Sequence, residues 1–170
     1  MLLRVLDAAA AARPRVVVGP PSLALLLPVG TELTREEPAG GGPVAGLAAG
    51  VRLVPQAVPQ VAVLSTDLPF LAATVLSRLS AALRDGGDVA VLVDDRGRPQ
   101  WLCAVWHRAA LARRLGALGD PAGARMRDLA AGASVVDVSV SGDSGPPPWF
   151  DCDTEEDFRR AEEWMNAEPG

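Results

Sequence analysis

Residues 61–71 read VAVLSTDLPFL, and this stretch decides the fold. Val61 to Leu64 favour an extended backbone, Ser65 and Thr66 follow, and Asp67 arrives just ahead of a proline turn at Pro69. The pattern predicts a buried strand with a carboxylate at its carboxyl tip. In open α/β sheets ligands bind beyond the carboxyl ends of the strands, so Asp67 is placed to reach a substrate or a hard metal ion. A plainer role is equally open to it, because Asp also suits the N-terminal cap of the helix that follows.

Downstream, Leu76, Leu79 and Leu83 recur at helical spacing and predict a helix over 72–84, ended by Gly86-Gly87. DVAVLV (88–93) and PQWLCAVW (99–106) have strand composition, and so short a turn between them requires an antiparallel hairpin, hence a mixed sheet. Helices are expected over 107–118 and 122–131, and a strand over 134–140. SGDSGPPP (141–148) reads as a rigid exposed loop. Trp149-Phe150 then lead into DCDTEEDF (151–158) and a final helix with Phe158, Ala161 and Trp164 facing inward. Asp151 and Asp153 are expected at another strand end, whereas Thr154 with Asp157 three residues on has capping-box spacing that needs no function.

Upstream, a helix over 2–12 stops at Arg13-Pro14, and RVVVG (15–19) reads as a parallel strand buried on both faces. A loop region leads to EEPAGGGPVAG (36–46), which delivers Pro43 to the first turn of a helix. The free N–H groups there would favour a phosphate, although an ordinary glycine-rich connection has the same composition. The whole order is that of a doubly wound α/β unit.

The chain has 170 residues, 49% of them hydrophobic, enough for one packed domain over 1–170. The formal charge is −5, and all 16 basic residues are Arg, with no cluster among them, which argues against nucleic-acid binding. Cys103 and Cys152 fit no metal spacing and suit a reduced, cytoplasmic protein, and no stretch has the ~20 apolar residues of a membrane span. His107, the only histidine, has no nucleophile placed beside it by sequence. Trp101, Trp106, Trp149 and Trp164 suit packing in the core or at its rim.

Four motifs in order, GGGPVAG (40–46), TDLPFL (66–71), PQWLCAVW (99–106) and FDCDTEEDF (150–158), resemble the MobA-like, or molybdenum cofactor guanylyltransferase, family of nucleotidyltransferases. The resemblance implies a Rossmann-like three-layer sandwich on a mostly parallel, mixed sheet. It also implies a reaction in which the phosphate of a molybdopterin-like acceptor attacks the α-phosphorus of a nucleoside triphosphate, GTP in the best-known members, and pyrophosphate leaves. By position Asp67 resembles the family's Mg2+-binding aspartate, with Asp151 or Asp153 beside it. Glu37 falls near an acidic nucleotide contact, Gly42, Pro43 and Gly46 would shape the nucleotide pocket, and Gln100, Trp101 and Leu102 resemble a substrate-facing segment.

The departures matter as well. Trp101 stands where proline is usual, and Asp151 and Asp153 replace asparagines, as in cytidylyltransferase relatives, which keeps CTP open beside GTP. Family members open with a strand and a glycine-rich loop, LAGGxSxRMGxDK, whereas this sequence opens in the helix that follows and contains no Lys. The expectation is a truncated or degenerate relative with an exposed edge or core slot at the place of the first strand, and with little transferase activity. The alternative is a non-catalytic module that binds a nucleotide or a protein.

Overall fold

In the computed structural model, which describes residues 1–140 and 145–167, the chain begins in a short helix, α1 (Leu2–Ala8). It ends earlier than expected because Pro14 drives Arg13 out of the helical region, so the chain unwinds through a turn at 9–11. Strand β1 (Arg15–Val18) follows, then a 3-10 helix (Pro21–Leu26) and strand β2 (Thr31–Thr34), parallel to β1 with Val18 opposite Thr34. Strand β2 falls within the stretch expected as a loop region, since TELT offers one apolar residue among polar ones.

Pro43 opens helix α2 (Pro43–Val51), with Gly42 ahead of it at φ 86, a conformation open to glycine and strained for other residues. Strand β3 (Gln60–Leu64), helix α3 (Ala73–Arg84), strand β4 (Val89–Val93) and strand β5 (Pro99–His107) come next. Helices α4 (Arg108–Leu118) and α5 (Met126–Ala130), strand β6 (Val135–Ser139) and helix α6 (Glu155–Ala167) complete the order. Residues 141–144 of the expected exposed loop lie outside the described residues.

The strands form two sheets, β1-β2 and β3-β5-β4-β6. Among the described residues only β5 runs against its neighbours: it pairs antiparallel with β3 and β4, while β4 and β6 are parallel. Strand β4 is buried along its whole length and sorts its side chains by alternation. Val89 and Val91 join Trp106, Leu111 and Leu129 in a core under α2, α4 and α5, and Ala90 and Leu92 join Leu79, Leu83 and Val105 under α3 and α1. Helices therefore cover both faces, giving the three layers of a Rossmann-like α/β fold.

Between β1 and β3 the layers are parted by an open slot of about 650 Å³. The slot corrects one expectation: β1 is not buried on both faces, since only Val17 is enclosed and Val16 and Val18 are half-exposed beside the opening. A second correction concerns α6, where Ala161 is buried and Trp164 half-buried but Phe158 turns outward, 45% exposed. Two other elements are tied down by polar bonds. His107 Nε2 lies 3.2 Å from the Leu83 carbonyl, a structural contact at the end of α3. Thr154 and Asp157 cap α6 reciprocally: the Thr154 hydroxyl donates to Asp157 Oδ2 at 2.7 Å and accepts from the Asp157 N–H at 3.1 Å.

These differences in enclosure set different costs for truncation. Leu83→Ala, at a fully buried position, is expected to lower the unfolding free energy by about 2–5 kcal/mol in urea titration, and Val16→Ala beside the slot to cost clearly less. The Thr154 hydrogen bonds hold the Asp157 carboxyl below its ordinary value of 3.8. Its contribution is present above that value and lost as the pH falls below it. Amide protection factors in the first turn of α6, corrected for the intrinsic exchange rate, should therefore fall under acid, and Asp157→Asn should remove this pH dependence of protection.

Candidate functional site

Register and turn chemistry bring the chemistry-bearing residues to one end of the sheet. Along β5 the pairing with β4 jumps: Val91 faces Ala104, yet Leu92 faces Gln100. Trp101, Leu102 and Cys103 consequently have no opposite partner on β4, and such an irregularity beside a cavity re-aims side chains. On its other side β5 holds the end of β3 through the Ser65 N–H, which donates to the Leu102 carbonyl at 2.7 Å. Asp67 follows two residues later.

The second wall is the glycine turn before α2. Glu36 accepts a hydrogen bond from the Gly40 N–H at 2.9 Å, and this bond holds its carboxyl below the ordinary range. Gly123 donates its N–H to the Gly41 carbonyl at 2.8 Å, joining the turn to the loop before α5. A side chain at Gly41 would meet Ala45 Cβ at 2.8 Å and the Pro38 carbonyl oxygen at 3.2 Å, so the turn closes only with glycine there. No side chain caps α2, which leaves its first N–H groups free to meet an anion.

Together these elements enclose a cavity of about 510 Å³. Of the residues singled out in the sequence, Gly42, Pro43, Asp67, Gln100, Trp101, Leu102 and Asp151 line it, and Asp153 does too. Gly46 lies on the slot between β1 and β3 instead, and Glu37 is exposed and lines neither opening; its neighbour Glu36 is the acid that organises the turn. Asp151 and Asp153 do not sit at a strand end as expected. They lie well beyond β6, on the segment leading into α6, because Phe150 packs that segment down against Phe70 and Trp164 at ring separations of 6.1 and 5.0 Å.

The charges on this wall are uneven. Asp67 Oδ1 is buried without a hydrogen-bond partner, a costly arrangement that a cation would relieve. Desolvation, together with the negative charges of Asp153, Asp67 and Asp157, pushes the Asp151 carboxyl above its ordinary 3.8. Among the described residues no three His, Cys, Asp or Glu groups form a ready metal cluster. The pair Asp67 and Asp151 nevertheless fits Mg2+, which commonly takes one or two carboxylates and completes its shell with water or phosphate. Cys103 lines the cavity, but burial pushes its thiol up to about 12, so it stays protonated and is no nucleophile.

Arg125 is the residue the sequence reading missed. The expected helix over 122–131 absorbed it, whereas α5 starts at Met126 and leaves Arg125 on the cavity wall with its N–H donating to Asp128 at 3.3 Å. The available signal was Gly123, two residues earlier, at φ 73 a poor helix interior.

Comparison with known proteins gives a consistent picture. The family model of the MobA-like NTP transferase domain matches residues 1–138. A molybdenum cofactor guanylyltransferase of Rhodobacter capsulatus is 33% identical over 125 residues, covering 73% of this chain and 60% of that protein. One of Rhizobium johnstonii is 26% identical over 136 residues, covering 76% and 65%. The chain thus spans under two thirds of the length of these relatives. Molybdopterin-guanine dinucleotide biosynthesis protein A of Archaeoglobus fulgidus shares the fold, with a TM-score of 0.74 at 22% identity over 98% of this chain and 85% of that one.

The raised Asp151 carboxyl gives a test with a defined sign. A folded-state value above the unfolded one means stability present at low pH that is lost as the pH rises through it. Asp151→Asn is therefore expected to raise Tm at neutral pH, with the gap to wild type closing as the pH approaches 3.8. Equal Tm gains across that range would show that charge at Asp151 is not the cause.

Proposed function

Since the chain belongs to the MobA-like NTP transferase family, we propose that it acts in transfer of a nucleoside monophosphate, GMP from GTP, to the phosphate of a molybdopterin-like acceptor. The single observation that carries the reading is the buried, unpartnered Asp67 Oδ1 in a cavity shared with Asp151 and the start of α2. An acceptor phosphate oxygen attacks the α-phosphorus, the bond to the β-phosphate oxygen breaks, and pyrophosphate departs. Such transfers depend mostly on positioning and charge neutralisation.

The chain's own residues divide that work. Asp67 and Asp151 would hold Mg2+, which when bound neutralises phosphate charge. The uncapped N-terminus of α2 and the Arg125 guanidinium supply positive potential for phosphate oxygens. Trp101 and Trp149 give flat apolar walls against which a ring system can pack, and Gln100 is steadied by the β4–β5 turn through its amide, 3.4 Å from Asp94 Oδ2. The two guanylyltransferase relatives favour GTP over CTP as the donor.

A second reading rests on the charge count. Arg125 is the one cation among the residues described on the cavity wall, against Asp67, Asp151 and Asp153, and the chain has no Lys. These 170 residues alone are thus poorly equipped to balance a triphosphate, and a role in nucleotide binding with slow turnover follows.

Calorimetric titration of the 170-residue chain with GTP and Mg2+ should show one saturable site, with CTP weaker. Asp67→Ala should weaken the Mg2+-dependent binding by about tenfold or more. Binding that ignores both Mg2+ and the substitution would overturn the proposed site. GTP turnover by these residues alone at a rate ordinary for enzymes, ~10 s⁻¹, would remove the second reading.

A further inference from the structure

The turn between β4 and β5 is closed twice over by one residue. The Asp94 N–H donates to the Arg98 carbonyl and the Asp94 carbonyl accepts from the Gly97 N–H, both at 3.0 Å. Its side chain adds a second closure, since Oδ1 accepts from the N–H groups of Arg96 at 2.9 Å and Arg98 at 2.8 Å. Oδ2 is left for Gln100, whose Nε2 lies 3.4 Å from it and 3.3 Å from the Arg98 carbonyl oxygen. The Arg98 N–H above all holds the Asp94 carboxyl below its ordinary value of 3.8, so at neutral pH it is an ionised acceptor.

This contact sets the polarity of Gln100. A carboxylate and a carbonyl only accept hydrogen bonds, so the end of the amide that meets them has to be the NH2. Among the described residues Oε1 has no partner, and it is the polar atom that Gln100 brings to the cavity it lines. Backbone pairing of Gln100 with Leu92 and of Pro99 with Val93 fixes the residue just before the register breaks. Phosphate oxygens gain nothing from an acceptor, whereas an N–H donor does.

The walls beside Gln100 are flat and firmly seated. Trp101 packs against the cluster under α2, α4 and α5, and Trp149 against the one under α3 and α1, so the cavity carries an indole rooted on each face of the sheet. Leu68 and Met126, both buried, add apolar surface. A planar ring packs on such surfaces, and its polar edge then decides the fit. An acceptor on the protein calls for an amino group on that edge. Guanine carries one beside a ring N–H, and a pterin does too.

We propose that Asp94 is a positioning residue: by holding Gln100 through its NH2 end, it turns Oε1 to the cavity and so selects a ring with the amino-lactam edge common to guanine and pterins. The inference rests on the nucleotide-transfer reading of this cavity and names the ring chemistry that the cavity takes. Asp94 acts only through Gln100. Asp94→Asn keeps an oxygen for the two turn N–H groups, so the turn stays closed. What meets Gln100 is then an NH2 against an NH2, and the amide loses its fixed orientation.

Two matched pairs of probes test this on the 170-residue chain by tryptophan fluorescence and calorimetry: GTP against ITP, which lacks the amino group, and pterin against lumazine, which has an oxo group in its place. At least one pair should show a preference of about tenfold for the amino member, and the pair that does so tells whether the donor base or the acceptor ring meets Gln100. Asp94→Asn and Gln100→Leu should each bring the amino member down to the affinity of its mate and leave the mate unchanged. Equal binding within both pairs, or a preference that survives either substitution, would overturn the proposal. Weakening of both members alike would do so too, because Asp94 would then support the wall as a whole. Pterin and lumazine carry no phosphate, so their comparison stands even where GTP and Mg2+ fail to bind, which separates failure here from failure of the nucleotide reading.

Discussion

Strand β5 is the constraint on which the remaining structure depends. Among the described residues it is the only strand laid against the direction of its neighbours, and it supplies two of the three ladders that hold the larger sheet together. Its inner residues, Cys103 to Trp106, are buried, so its position is fixed by packing on both faces as well as by hydrogen bonds. The break in its register with β4 follows from the different task of its first half. Trp101 to Cys103 leave the ladder with β4, and Gln100 to Leu102, less enclosed than Cys103 to Trp106, form a wall, while Pro99, Gln100 and Ala104 to Trp106 stay paired with β4. One strand thus serves the core with one end and the cavity with the other.

How far the sequence discloses this depends on whether a residue's role is set locally. VAVL, DVAVLV and the leucine spacing of α3 state their element types unaided, and the short β4–β5 turn leaves no alternative to a hairpin. Asp67 is legible because strand ends and acidic residues before a proline turn coincide. Strand β2 is not, because TELT carries its strand character through pairing with β1, a contact made across sixteen positions of chain. Glu36 and Glu37 are indistinguishable by spacing, and only the path of the turn decides which reaches the Gly40 N–H. Phe158 has the spacing of an inward residue, yet Phe70 and Phe150 gather at Trp164 and leave it in solvent.

The cavity is assembled under electrostatic tension. Carboxylates from two distant segments are brought together without a lysine in the chain to offset them, and the cost shows at Asp151, whose charged form is disfavoured. Structure that brings like charges together without a compensating gain in stability is commonly retained for what it binds.

Phe70, Phe150 and Trp164 meet edge-on, with the Arg160 guanidinium 4.7 Å from the Trp164 ring centroid. Phe70 lies three residues after Asp67, and Phe150 immediately precedes Asp151, so this aromatic knot sets the spacing of the two carboxylates. It belongs to neither of the two buried clusters that flank the sheet. The knot can therefore loosen while the sheet stays intact. The spacing of the two carboxylates can then be lost by local opening before the architecture gives way.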